Sequence, residues 1–196
     1  MRDQKRPSLH RICILAGTFL LVAACAMLIL WQGNIHSSRQ RAQDYVQTLQ
    51  TVLPEPRNAV PEERRDNSMA VLSIDDTDLV GILEIPLYGS VLPIRADWAE
   101  PTKIPCRLSG SIYDGSLQIG ATSQEGQYDF YRSLSVGDSV FFTDMEGNRY
   151  ALTVTDLRYA KHADQEALQS REAALTLFIR NIYAFEYLIV FCDVPR

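Results

Sequence analysis

The chain has 196 residues, 46% of them apolar and 22% charged, with a formal net charge of −5. That length suits one membrane segment plus one domain able to bury a core, and the acidic balance gives no electrostatic case for nucleic acid. There is no low-complexity tract, no internal repeat, no metal-ligand cluster and no phosphate loop, so no cofactor is expected.

The N-terminus is not globular. Residues 1–11, "MRDQKRPSLHR", are basic, and residues 12–31, "ICILAGTFLLVAACAMLILW", carry no charge. About 20 apolar residues is what a helix needs to cross the hydrocarbon core. Arg2, Lys5, Arg6 and Arg11 precede the run, so the positive-inside rule puts residues 1–11 in the cytoplasm and the rest of the chain outside it. A cleaved signal peptide is disfavoured because the run outlasts an ordinary apolar region of that type. "VAAC", ending at Cys25, has the small-residue pattern of a lipidation box, but "AMLILW" continues apolar beyond it. An uncleaved signal anchor is the reading preferred.

Residues 32–68 form the path to the domain. "SSRQRAQDYVQTLQTVL" has Tyr45, Leu49, Val52 and Leu53 at helical spacing, with Ser38 as a cap for a short separate helix. "PEPRNAVPEERRDNS" holds three prolines and many charges, so a linker is expected. Residues 69–196 change to short strands. "LVGILEIP" and "SVLPIRAD" flank the turn "LYG"; "GSLQIGAT" is another strand; "DSVFFTD", "MEGN" and "RYALTVTDLRYA" make a hairpin; "LTLFI" and "YLIVF" close the chain as a second hairpin. Two helices are expected between them, over "GQYDFYRSLSVGD" and "ADQEALQSREAA". Many short strands with few helices predict a mainly β domain, a closed barrel or a sandwich.

The order of these pieces resembles the sortases, the cysteine transpeptidases of Gram-positive surfaces, and most closely their class B-like branch. "VGILEIPLYGSVLPI", "PCRLSGSIYDGSLQIGATSQ", "SLSVGDSVFFTDMEGNRYALTV" and "LTLFIRNIYAFEYLIVFC" carry the likeness over roughly Met69 to Val194. It implies a closed sortase-like β-barrel behind a single membrane anchor, with a few short helices. It also implies where chemistry belongs. Sortases attack the threonine carbonyl of a sorting signal with a cysteine thiolate, move protons with a histidine and stabilise the oxyanion or hold substrate with an arginine. The positions matching these are Thr122 in "IGAT", Arg180 in "TLFIR" and Tyr187 in "YLIVFC".

None of the three keeps the family's identity. A guanidinium stays protonated and only donates. A threonine does not titrate near neutrality, as an imidazole does. A tyrosine has an unperturbed pKa of about 10 and no positive charge. His10 and His36 belong to the membrane region, and His162 is far in sequence from the catalytic strands. The expected function is therefore a membrane-anchored extracytoplasmic module that has lost transpeptidase activity. Its partner is a sorting-signal peptide, a surface protein or an active sortase. Thr176, Phe178 and Arg180 share a strand face, so a cation over an aromatic floor is expected to hold a peptide or carboxylate. Against that stands the plainer reading that Arg180 is solvated, or paired to Glu186.

The alternative is an active transpeptidase or hydrolase with a relocated nucleophile, Cys192 or Thr122. Tyr187 and Cys192 differ by five positions, so a regular strand points them to opposite faces and makes Cys192 packing. A bulge between them would reverse that. A disulfide between Cys106 and Cys192 is permitted in an exported domain. A third reading, a ligand-free stalk, predicts a flat or filled cleft. Thr122, Arg180 and Tyr187 are expected to meet at one end of the barrel.

Overall fold

A computed structural model of the chain describes residues 9–62, 66–98, 104–124, 127–130, 133–161, 172–181 and 186–195. The chain divides into two units, Met1–Ser37 and Ser38–Arg196. One helix, α1 (Leu9–Val52), supplies most of the first unit and opens the second. Its N-terminal part is long and apolar enough to cross a membrane, and that stretch is not buried by the protein.

Ser38 is not the cap of a separate helix, as the sequence suggested. It lies inside α1 and is buried. Between Trp31 and Ser38 there is one glycine and no proline. A single interior glycine costs only about 1 kcal/mol, too little to end a helix flanked by good helical sequence. From Ser38 onward α1 belongs to the second unit and packs on its strands. Ala42 and Leu49 pack against Leu79, Ile82 and Ile104, and the Tyr45 hydroxyl meets Thr77 Oγ1 at 3.1 Å. Residues three, four and seven apart share a helix face, which is why these side chains reach the sheet together.

The second unit is an eight-stranded closed barrel with two added strands. The strands are β1 (Arg57–Ala59), β2 (Leu72–Ile74), β3 (Thr77–Ile85), β4 (Ser90–Arg95), β5 (Cys106–Ser109), β6 (Leu117–Thr122), β7 (Ser139–Asp144), β8 (Asn148–Ala160), β9 (Leu175–Asn181) and β10 (Glu186–Asp193). Neighbours run β8-β10-β9-β6-β5-β4-β3, and β7 pairs with both β3 and β8 to close the ring. A 3-10 turn at Pro86–Tyr88 joins β3 to β4. The weakest seam is β4–β5, a parallel contact with one register pair, Arg95 with Cys106. Pro93 helps explain it: proline has no ladder donor and is tolerated in β4 because that strand is almost an edge.

Part of the expected linker is ordered as a strand. β1 adds to β8 in parallel, with the Arg57 N–H donating to the Gly147 carbonyl at 2.8 Å. An exposed edge of β8 is a template for such pairing, and Pro54, Pro56 and Pro61 fall outside the three paired residues. The β7–β8 turn is organised by Asp144, which is buried. Its carboxylate accepts from the backbone N–H groups of Glu146 and Asn148, from Asn148 Nδ2 and from the hydroxyls of Tyr113 and Tyr150. Buried carboxylates persist when paired in this way.

The expected helix over "GQYDFYRSLSVGD" is not formed by its described residues. Residues 127–130 are turn, and Tyr128, Phe130 and Leu134 all enter the barrel core. Burial of three large side chains from one short segment overrides its weak helical spacing. The second expected helix, "ADQEALQSREAA", lies mostly outside the described residues. Its last two, Ala173 and Ala174, are buried and not helical.

Candidate functional site

Strands β6, β9 and β10 lie side by side, and their register decides which side chains meet. Thr122 pairs with Arg180 across β6–β9, and Arg180 pairs with Tyr187 across β9–β10. Directly opposed residues on adjacent strands have Cβ atoms about 5 Å apart on one face. The structure therefore brings together the three residues singled out in the sequence, at one end of the outer face of the barrel. Phe178 and Thr176 follow Arg180 down the same face of β9. Ile189 and Phe191 lie opposite them on β10.

Arg180 is exposed, and among the described residues it has no ion-pair or hydrogen-bond partner for its guanidinium. The pairing with Glu186 does not form. Glu186 is in register with Asn181 and accepts from its Nδ2 at 3.1 Å. One residue along a strand is the opposite face, so Glu186 points away from Arg180. The expected stacking of Arg180 on Phe178 does not form either. The Tyr187 ring takes that face of Phe178, with centroids 4.8 Å apart and planes 23° from parallel. A cation that does stack on this face is Arg158 of β8, 5.2 Å from the centroid of Phe191 and paired with Asp156 at 2.9 Å. Its contribution depends on the β8–β10 register, which no local pattern reveals.

Thr122 sits at the end of β6 in a net of fixed backbone bonds. Its N–H donates to the side-chain oxygen of the buried Gln127 at 2.8 Å. Its carbonyl accepts from the Tyr128 N–H at 3.0 Å, and the Ser123 N–H donates to the Arg180 carbonyl at 2.9 Å. The Thr122 hydroxyl oxygen is buried and has no partner among the described residues. A buried polar atom without a partner costs about 1–3 kcal/mol.

Cys192 lies on the other face. It belongs to the barrel core with Leu188 and Val190, whereas Ile189, Phe191 and Tyr187 belong to the outer cluster. A register shift does occur between Phe191 and Cys192, but only against β8. The pairing with β9 stays regular through Cys192, so alternation survives. The thiol is fully buried, and burial, with the Asp193 charge beside it, pushes its pKa well above the ordinary thiol value. The thiolate is the nucleophilic form of cysteine. Cys106 is also buried, and both stand as thiols rather than as a disulfide. The nearby Tyr128 hydroxyl is raised well above its ordinary value, first by burial and then by these two thiols. His10 and His36 lie on α1 and His162 lies outside the described residues. Among the described residues no cluster of His, Cys, Asp and Glu is arranged to hold a metal.

No protein-family model and no curated protein matches the chain. Solved structures do. Sortase C1 from Streptococcus agalactiae is similar at 21% identity and a TM-score of 0.52, over 63% of this chain and 72% of that one. Sortase C1 from Streptococcus suis is similar at 18% identity and 0.51, over 60% and 74%. A lid mutant of sortase A from Corynebacterium diphtheriae is similar at 15% identity and 0.50, over 60% and 70%. The closed barrel therefore has the sortase fold. These relatives are of the A and C types, so the likeness does not single out a class B-like branch.

Proposed function

We propose that this chain is a membrane-anchored binding module of sortase fold that holds a peptide without cutting it. Its N-terminus lies in the cytoplasm and its barrel outside. The observation that carries this reading is Arg180: the β9 position that the family resemblance assigns to a thiolate presents an exposed, unpaired guanidinium among the described residues. Its register neighbours are Thr122, whose hydroxyl oxygen is buried, and Tyr187, a phenol, rather than an imidazole and a second cation. Such a slot donates to an anion or a carbonyl and has no group to form an acyl intermediate. The partner is a sorting-signal peptide, a surface protein or an active sortase, engaged through an extended segment laid along β6 and β9. The inward, fully buried Cys192 speaks against the relocated-nucleophile alternative.

The test is a cleavage assay with fluorogenic sorting-signal peptides on the full chain in detergent, alongside peptide binding. No turnover is expected, with or without an amine acceptor, and binding is expected to disappear in Arg180→Gln. Turnover by the native chain that is lost in Thr122→Ala and in Arg180→Gln would remove the non-catalytic reading.

A further inference from the structure

One end of the second unit gathers exposed apolar side chains. Leu87, in the 3-10 turn between β3 and β4, is 65% exposed, and Val136, in the loop before β7, is 63% exposed. Val91, early in β4, is exposed as well. Tyr88 brings them to one place. Its hydroxyl donates to the Ser133 carbonyl and lies 3.5 Å from Asp138 Oδ2, while its ring stacks on Phe130 at 5.4 Å. Leu87 is therefore held beside the loop that carries Val136. Pro86 opens the turn and Gly89 closes it in the left-handed region at φ 58°, so the projection is built into the backbone. Apolar residues scattered singly over a surface need no explanation, but a group of them marks a contact.

The part of α1 that belongs to the second unit starts at this same end. Arg39, Ala42 and Gln43 line one cavity with Gly89, Val91 and Gln127, whereas Tyr45, further along the helix, meets Thr77 at the start of β3. Six residues, 32–37, separate Ser38 from Trp31, the last of the apolar run. Even a fully extended chain keeps Ser38 within about 25 Å of that residue. β3, with nine residues, is itself about 30 Å long. The tether thus acts on the Leu87 end, and the β2–β3 and β7–β8 turns stand at the opposite end of these strands. Those turns expose Asp75, Asp76 and Glu146, with no apolar group to match Leu87 and Val136.

We propose that the Leu87 end of the barrel is a membrane-contact surface, on which Leu87, Val91 and Val136 enter the boundary between lipid headgroups and acyl chains. This rests on the anchored topology proposed above and not on peptide binding. Arg39 and Arg41 are exposed on the first turn of the helix here, and long cationic side chains reach headgroups while their stems stay in apolar surroundings. Asp129 and Asp138 stand at the same end, so the contact draws on apolar burial rather than on net charge. The partner is a lipid bilayer, neutral or anionic.

The test uses the full chain with Cys13→Ser and Cys25→Ser, carrying one introduced cysteine labelled with nitrobenzoxadiazole and then reconstituted into phosphatidylcholine vesicles. The positions are Leu87→Cys and Val136→Cys, with Asp76→Cys and Glu146→Cys as controls; Cys106 and Cys192 are buried. The quencher is a lipid spin-labelled near the headgroup end of its acyl chain. The labels at 87 and 136 are expected to be quenched at least two-fold more than those at 76 and 146, and to keep that difference when phosphatidylglycerol is added. Leu87→Glu, a surface change that the fold tolerates, is expected to bring the label at 136 down to the control level. Equal quenching at all four positions, in a chain that resists extraction from the vesicles by alkaline carbonate, overturns the contact and leaves the anchor standing. A chain that carbonate extracts overturns both.

Discussion

Strands β6, β9 and β10 turn one face to the barrel interior and one outward, and the two faces follow different rules. The inner rows are Leu117, Ile119 and Ala121; Leu175, Leu177 and Ile179; Leu188, Val190 and Cys192, all in the main core. The outer rows are Gln118, Gly120 and Thr122; Thr176, Phe178 and Arg180; Tyr187, Ile189 and Phe191. Inside, each side chain is fixed by its neighbours, because packed interiors tolerate little change in volume. Outside, only the apolar residues are constrained, and the end of the face carries an exposed cation, a buried hydroxyl with no partner among the described residues, and a phenol. A barrel can thus keep its fold while the chemistry on its surface is replaced, since scaffold and site are set by alternate residues of the same strands.

The contrast is sharpest where an inner side chain is cut away. Leu177→Ala is expected to cost roughly 2–5 kcal/mol, by lost transfer energy and a residual cavity. A thermal melt of the full chain in detergent that shifts by less than a degree would blur the distinction between faces.

A second effect comes from two inner groups and alkaline pH. Cys192 and Tyr128 both have pKa values raised by burial from ordinary values of 9.0 and 10.0. Their neutral forms are favoured in the folded state, so their contribution is full below those values and is lost as pH rises above them. Each group steepens the decline by at most about 1.4 kcal/mol per pH unit. Stability measured from pH 8 to 11 should fall, and Cys192→Ala with Tyr128→Phe should flatten the fall. In a Cys13→Ser, Cys25→Ser background, a thiol reagent should label Cys192 only on unfolding.

On the outer face the effects shrink. Thr122→Val keeps the shape and removes a buried hydroxyl with no partner. Stability is expected to hold or rise by up to about 1 kcal/mol, and a loss larger than that in the melt would mean the hydroxyl is satisfied. Arg180→Ala is expected to move stability by no more than about 0.5 kcal/mol while abolishing peptide binding, read by anisotropy of a labelled peptide.

Much of this molecule is legible in local pattern. Alternation located the strands of both hairpins and gave Cys192 the face opposite Tyr187, because side-chain period along a strand is independent of partners. What was not legible depends on partners distant in the chain. β1 exists because β8 offers an edge to Arg57–Ala59. The 127–130 segment is turn because Tyr128 and Phe130 are drawn into the core. The Tyr187 ring, rather than Arg180, covers Phe178 because β9 and β10 pair in one register and not another. Trp98 over Gly120 joins the end of β4 to β6, and neither sequence window mentions the other.

The pairing of Thr122 with Arg180 has a consequence for how this face of the barrel comes into being. β6 and β9 are parallel neighbours separated by the whole β7–β8 hairpin, so their ladder waits on one of the more distant loop closures in the chain. A nascent or partly collapsed polypeptide holds the threonine and the arginine but not the paired surface between them. In the proposed binding role, ligand capture is thereby confined to chains that have finished folding.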